Sequence, residues 1–337
     1  MRAWQIIDDW KRENLKLVDL PEPVPGRGQV LLKMHATSLN YRDLIVPLRG
    51  YGSKTGTLPL IPVSDGVGEV VALGDGVSAP AVGTRVCPLF MPRWQGGEAT
   101  GDKINATLGG PLDGVMAEYV VVDAGAVHPV PDHLDDAQAA TLPVAALTAW
   151  SAVVTHGAIK PGARVLVQGT GGVSLFALQF ARAAGARVFV LSSDDAKLER
   201  AHALGAEAGL NYSATPEWGA EVKAWAGGDG VDLVVEVGGE KTLGQSLRAV
   251  RVGGEIALIG VLSGGRFDIP LGPVVTRHVR LQGITVGHHD GFAAMCAALT
   301  AQRIEPVVDR VFPFAELHEA LDHLAARRHF GKVCVAI

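Results

Sequence analysis

Cysteine is scarce in this chain. Its three cysteines, Cys87, Cys296 and Cys334, lie far apart and form no Cys-x-x-Cys pair. That excludes a disulfide framework and points to a reducing compartment, so a cytoplasmic protein is expected. A surplus of positive charge is also missing. Lys and Arg number 30 against 35 Asp and Glu, a net charge of −5, which leaves no basic footprint for nucleic acid or an anionic membrane. The opening residues MRAWQIIDDW have no apolar stretch of the kind a secretory signal needs. The one long uncharged run, 137–159, contains Pro143, three threonines, His156 and Gly157. It is expected to form a buried helix pair, not a membrane span.

What is abundant is glycine, 42 of 337 residues, against roughly 7% in an average protein. No G-x-y repeat accompanies it, so the excess means tight turns and close backbone approaches. The length suggests two domains. The first ~125 residues alternate strand-like runs, such as 30–35, 68–73 and 116–122, with Gly/Pro turns. His128-Pro129-Val130-Pro131 marks a break, and Asp135 with Gln138 has the spacing of a capping box. From residue 160 the pattern changes to strands alternating with helices. Six short apolar strands, at 164–168, 187–191, 208–211, 231–235, 255–260 and 279–284, predict a parallel sheet covered on both faces, the doubly wound Rossmann arrangement. The last ~40 residues read as an amphipathic helix and a closing strand, KVCVAI, expected to pair back onto the first domain. The expected division is thus 1–127, completed by 298–337, and 128–297.

The sharpest motif is Gly169-Thr170-Gly171-Gly172-Val173-Ser174, directly between the strand RVLVQ and a helix. In that context Gly169 permits the tight turn and Gly171 leaves room for a pyrophosphate. Amides near Gly172 and Val173 then face the phosphates of a dinucleotide. Ser174 replaces the third glycine and is small enough for helix–strand packing. The second strand ends in Ser192 and Ser193, with Lys197 a turn later. Hydroxyls and a lysine suit the 2′-phosphate of NADP, with Tyr212 beside it. Asp194 and Asp195 are open to two readings: acids that start the next helix, or one of them a ribose ligand, as in NAD enzymes.

The ordered set VLVQGTGGVS, KLERAHALGAEAGLNY, VDLVVEVGG, RVGGEIALIG and GKVCV, after a β-rich start, resembles the medium-chain dehydrogenase/reductase superfamily, and specifically its zinc-independent quinone oxidoreductase-like and alcohol dehydrogenase-like branch. The resemblance implies an α/β protein with a GroES-like N-terminal catalytic domain, a Rossmann domain, a cleft between them and a homodimer. It adds Thr148, Gly238, Gly260, Val261 and Lys332 to the residues expected at the cofactor. Asn40 stands where zinc members carry a cysteine. Ser64 and Asp65 stand in for the His-Glu of their Gly-His-Glu, and Val144 falls near the third ligand. A catalytic zinc needs three N, S or O ligands, and the segment 87–110 holds one cysteine where a structural zinc needs four, so no zinc is expected. His288-His289-Asp290 is read as a loop at solvent or at a dimer partner rather than a metal cluster, and His128 and His133 as surface histidines.

Without zinc to stabilise an alkoxide, the expected reaction is NADPH-dependent hydride transfer to a quinone or an α,β-unsaturated carbonyl, the substrate being a small electrophile. The alternatives are a zinc-free NAD(P) alcohol or carbonyl oxidoreductase, and a nucleotide-binding protein without turnover. The candidate catalytic residues are Asn40, as an amide donor, and Tyr51, whose Gly50-Tyr51 pair resembles that of zinc-free enoyl reductases. Each has a plainer reading: Asn40 satisfying loop amides, Tyr51 lining a wall, Asp43 holding the loop.

Overall fold

The structure, a computed structural model, describes residues 1–266, 268 and 271–337. The first stretch of chain supplies β1 (Arg2–Ile6), β2 (Leu15–Asp19), β3 (Gln29–Leu39), α1 (Tyr41–Ile45), β4 (Asp65–Leu73), β5 (Arg85–Pro88), α2 (Gly101–Ile104), β6 (Tyr119–Asp123), β7 (Val127–Pro129), α3 (Asp136–Ala139) and α4 (Leu147–Trp150). Strand–helix alternation follows: β8 (Arg164–Gln168), α5 (Gly172–Ala183), β9 (Arg187–Ser192), α6 (Asp195–Ala203), β10 (Ala208–Asn211), α7 (Trp218–Trp225), β11 (Val231–Glu236), α8 (Leu243–Ala249), β12 (Val250–Leu258), α9 (Leu271–Thr276) and β13 (Arg280–Gly283). The chain closes with α10 (His289–Gln302), β14 (Val308–Pro313), α11 (Leu317–Ala325) and β15 (Lys332–Ala336).

Two compact units result, Met1–Leu147 with Gly287–Ile337, and Thr148–Val286. The first is built on a sheet of order β14-β15-β3-β4-β5-β7, with β6 also paired to β3. Its core includes Leu32, Met34, Leu60, Met116 and Leu321. The closing strand β15 lies antiparallel to β3, Val333 opposite Leu39, as a terminal strand with four buried residues requires. The second unit is a six-stranded parallel sheet in the order β10-β9-β8-β11-β12-β13. That order is the doubly wound one, reversing direction between β8 and β11. The middles of its inner strands are apolar, as strands covered on both faces by helices require, and Leu166, Val234, Ile256 and Leu247 fill the core.

The unit boundaries fall at 147/148 and 286/287 instead of 127/128 and 297/298. Packing explains the shift. Arg85 donates to Leu134 O at 2.7 Å, Cys87 Sγ to Ala139 O at 3.3 Å and Cys334 Sγ to Ala137 O at 3.4 Å, so the segment after β7 is tied to β5 and β15. The Phe292 ring of α10 meets His128 of β7 at 5.5 Å. The uncharged run forms the helix pair expected of it: α3, then an unbroken helical stretch over 142–156 in which α4 lies between wider π turns at Leu142–Ala146 and Ser151–His156. Pro143, which has no N–H to donate, sits in the first turn of one of them. The Asp135–Gln138 capping box is present, with Gln138 N donating to Asp135 Oδ1 at 2.7 Å. His288-His289-Asp290 is no loop: it begins α10, where His288 Nδ1 accepts from Gly291 N at 2.9 Å and caps the helix. Nor is His128 a surface histidine. It is half-buried, its Nδ1 is 2.6 Å from Pro129 O, and burial pushes its imidazole below the usual range. His133 Nε2 lies 3.2 Å from Ile304 O.

Candidate active site

In a parallel sheet every strand ends at the same edge, and that edge of the second unit gathers residues far apart in sequence. Gly169, Thr170, Gly171, Gly172 and Val173 follow β8; Ser192 ends β9 and Ser193 follows it. Tyr212 follows β10, Gly238 follows β11, and Gly260 and Val261 follow β12. Gly169 has φ +74°, a left-handed angle that glycine adopts without cost. Gly171 is the residue before α5, and no side chain caps that helix start. A Cβ added at Gly171 would meet nothing within 4 Å. Uncapped N–H groups beside open space, at the point where strand order reverses, form a ready phosphate cradle, so the residues present fit a dinucleotide.

A buried carboxylate holds the neighbouring loop. Glu236, at the end of β11, is fully buried and forms no ion pair among the described residues. Its Oε1 accepts from Gly238 N at 2.9 Å, Gly239 N at 3.0 Å and Thr242 Oγ1 at 2.5 Å, and its Oε2 from Gln168 Nε2 at 2.7 Å. Ser246 also donates to Oε2. Four or more donors replace the water a carboxylate loses on burial, and the network links the ends of the two strands flanking the reversal. Sequence reading missed this residue. A lone Glu in the apolar run VDLVVEVGG was its only signal.

At the end of β9 both acids are engaged locally. Asp194 Oδ1 accepts from Lys197 N at 3.1 Å and so caps α6, and Asp195 Oδ1 accepts from Asn211 Nδ2 at 2.9 Å. Both acids thus stand at the start of α6, the first of the two roles open to them. Thr148 is buried in the first turn of α4.

The candidate reacting residues lie in the first unit, around α1. Asn40 precedes that helix, and its N–H donates to Asp43 Oδ2 at 2.7 Å, so Asp43 does hold the loop. Its side chain is the middle of a buried triad. Asn40 Nδ2 donates to Asp65 Oδ2 at 2.8 Å, and Lys332 Nζ donates to Asn40 Oδ1 at 2.6 Å and to Leu39 O at 2.7 Å. Lys332 Nζ also lies 3.5 Å from Asp65 Oδ2. Lys332 is 4% exposed and Asp65 0%, so the ammonium is enclosed by protein acceptors. Burial pushes the Asp65 carboxyl up to about 7, against the pull of Lys332 and Asn40.

Beside the triad, Arg42 donates to Ser64 Oγ, to Leu108 O at 2.8 Å and to Gly110 O at 3.1 Å. Its guanidinium lies 4.8 Å from the Phe90 ring centre and 6.0 Å from that of Tyr51. Tyr51 is 46% exposed. Desolvation raises its phenol and Arg42 opposes the rise, so it carries its proton at neutral pH. Val63, just before Ser64, has φ +70°. It stands at the glycine of the zinc members' Gly-His-Glu and keeps a glycine's backbone, a strained state for a β-branched residue.

Residues 26–132 match the family model described as an alcohol dehydrogenase GroES-like domain, and residues 172–301 the one described as a zinc-binding dehydrogenase. A zinc-type alcohol dehydrogenase-like protein of Schizosaccharomyces pombe is 42% identical over 316 residues, 92% of this chain and 91% of its own. The chain belongs to the medium-chain dehydrogenase/reductase superfamily. Human quinone oxidoreductase is 28% identical to this superfamily member over 334 residues, 96% of this chain and 94% of its own. A crystal structure described as an NAD-dependent alcohol dehydrogenase covers all of both chains at 34% identity with a TM-score of 0.92. The protein is thus an oxidoreductase of the alcohol dehydrogenase-like and quinone oxidoreductase-like kind.

The name of the matched family implies zinc, and the residues here do not fit a catalytic one. Asn40 is held between Lys332 and Asp65, Ser64 is held by Arg42, and Val144 carries no ligating side-chain atom. Two fixed cations stand where a third positive charge would have to enter. Among the described residues, no group of three or more His, Cys, Asp or Glu could hold a metal ion, and no helix is long and apolar enough to cross a membrane.

Proposed function

We propose that this chain is a zinc-independent, NADPH-dependent reductase that transfers hydride to a quinone or an α,β-unsaturated carbonyl. The observation that carries the reading is the pairing of Lys332 with Asn40 and of Arg42 with Ser64: the vestigial ligand positions are closed by protein cations. An alcohol must lose a proton as it gives up hydride, and in zinc enzymes the metal stabilises that alkoxide. A quinone or enone already holds an electron-poor carbon and needs only a proton donor and correct placement.

The nicotinamide, when bound, supplies the hydride. The turn Gly169–Val173 with the start of α5 holds its phosphates, and Ser192, Ser193, Lys197 and Tyr212 surround the 2′-phosphate. The helix-start bonds of Asp194 and Asp195 support this, since one oxygen of each acid is taken up locally. On the acceptor side Tyr51 gives its phenolic proton to the α-carbon or oxygen of the reduced substrate, and water restores it. The mapped likeness to an NAD-dependent alcohol dehydrogenase favours a second reading, a zinc-free NAD(P) oxidoreductase of alcohols or carbonyls.

A panel of quinone, enal, enoyl thioester and ketone, each assayed for NADPH and NADH oxidation, separates the two. Turnover of the ketone alone would discard the first. Within that panel Tyr51→Phe is expected to lower kcat about 10²-fold on an enone, the low end for general acid catalysis, with KM nearly unchanged because the ring remains. A wild-type kcat would return Tyr51 to wall lining. Lys197→Ala is expected to weaken NADPH binding about tenfold or more, one charge-assisted hydrogen bond being worth roughly 1.5–3 kcal/mol, and to leave NADH nearly unchanged. Equal losses would remove Lys197 from the 2′-phosphate.

A further inference from the structure

Arg42 is held more completely than packing requires and yet is not neutralised. It leaves α1 and reaches the segment 108–110 and Ser64, where every acceptor it meets is uncharged: a hydroxyl and backbone carbonyls. Arg164 and Arg251, by contrast, both pair with Asp232, and Arg187 with Glu207. No carboxylate forms an ion pair with Arg42 among the described residues. The nearest acid in sequence, Asp43, is turned to the Asn40 N–H, and burial pushes its carboxyl up toward the neutral form.

The geometry also leaves one edge of the guanidinium open. Nη1 donates to Ser64 Oγ and to the carbonyls of Leu108 and Gly109, and Nη2 to Gly110 O. Nε has no acceptor among the described residues, and Nη2, with two hydrogens, has one. Nε and Nη2 share one edge of the guanidinium, the edge that takes two oxygens of one carboxylate or a single oxyanion. The segment 108–110 is shaped to the guanidinium: Gly109 has φ +70°, and a Cβ there would stand 3.1 Å from Arg42 Nη1 and 2.9 Å from the Val63 carbonyl carbon. The Phe90 and Tyr51 rings lie within 6.0 Å of the guanidinium carbon, and the side chain is partly exposed. A cation fixed before binding loses little entropy when it receives an anion, and it stabilises charge where charge appears.

We propose that Arg42 is the receptor for a negatively charged substrate oxygen, next to the proton donor Tyr51. The proposal rests on the reductase reading and adds a substrate class to it. The charge has two possible sources: the enolate or hydroquinone oxygen that forms as hydride arrives, or a carboxylate the substrate already carries.

The test uses acetylacrylate, an enone bearing a carboxylate, and its uncharged methyl ester, with the full-length wild type, Arg42→Lys, Arg42→Gln and Arg42→Ala. If the carboxylate is the source, Arg42→Gln raises KM and the calorimetric Kd for acetylacrylate about tenfold or more and leaves the ester alone. If the developing oxyanion is the source, kcat falls about tenfold on both compounds with KM little changed. In either case Arg42→Lys retains part of the function, and millimolar guanidinium restores part of it to Arg42→Ala. Unchanged constants, or a uniform loss with a lowered melting temperature and no rescue by guanidinium, would reduce Arg42 to a tie for the segment 108–110 and overturn the proposal. Should the wild type reduce neither enone, the reductase reading fails on its own. Calorimetry then still decides Arg42: acetylacrylate preferred over its ester, and the preference lost in Arg42→Gln, upholds the receptor, and no preference sinks it.

Discussion

Gly171→Val is expected to weaken the binding of NADPH and of NADH alike by on the order of 100-fold, close to 3 kcal/mol, while the protein stays folded. Both halves of that statement follow from the same position. Gly171 has φ −80° and ψ −177°, angles open to any residue, and a new Cβ would touch nothing in the protein within 4 Å. The space that receives the valine methyls is the space over the uncapped start of α5, where the phosphates belong. A valine is a poorer residue than glycine just before a helix, at a cost of about 1 kcal/mol. The core under α5, Leu175, Phe176, Leu178 and Phe180, is untouched. Calorimetry with each dinucleotide, alongside a melting curve, checks both halves, and undiminished binding would move the cofactor away from this turn. Gly169→Val would be a poor substitute, because φ +74° strains any side chain and the variant would lose fold and binding together.

Lys332→Met should destabilise the protein by about 3–5 kcal/mol, the usual range for removing one partner of a buried ion pair. Methionine fills most of the lysine's volume, so little of the loss is packing. What is lost is the ammonium bonded to the Asn40 carboxamide, and the cation 3.5 Å from Asp65, which is 0% exposed and has one oxygen, Oδ1, with no hydrogen-bond partner among the described residues. The loss carries a pH signature. Burial raises the folded-state Asp65 acid from its ordinary 3.8 to about 7. A raised acid means the folded state binds the proton more tightly than the unfolded chain. The stability contributed by Asp65 is therefore complete below pH ~4 and is lost as pH rises through about 7. Above that pH the carboxylate is charged and leans on Lys332. Urea midpoints at pH 6 and pH 8.5 should thus show a larger penalty for Lys332→Met at the higher pH. An equal penalty at both would mean that Lys332 serves Leu39 and Asn40 and not the Asp65 charge.

The parts of this protein legible in the sequence are those set by neighbours along the chain. The four inner strands of the parallel sheet, 164–168, 187–192, 231–236 and 250–258, carry apolar runs a few residues long, each followed by a helix, the pattern of strands buried on both faces. The turn Gly169–Val173 is legible because a strand, a positive-φ glycine and a helix start must occur within six residues. The Asp135–Gln138 capping box is legible for the same reason, its two hydrogen bonds spanning three residues. The gathering of Ser192, Tyr212, Gly238 and Gly260 at one edge follows once the sheet is known to be parallel, since every such strand ends on the same side. Tertiary structure alone decided the chemistry around Asn40. Lys332 reaches it across 292 residues, Asp65 across 25, and Arg42 meets Ser64 across 22 and Leu108 across 66. Nothing in the local pattern marks Lys332 as buried or Arg42 as unpaired, because a charged side chain is read from sequence as solvated. Only the folded sheet, by pairing β15 with β3, brings that ammonium under the loop and removes the water that would otherwise have screened it.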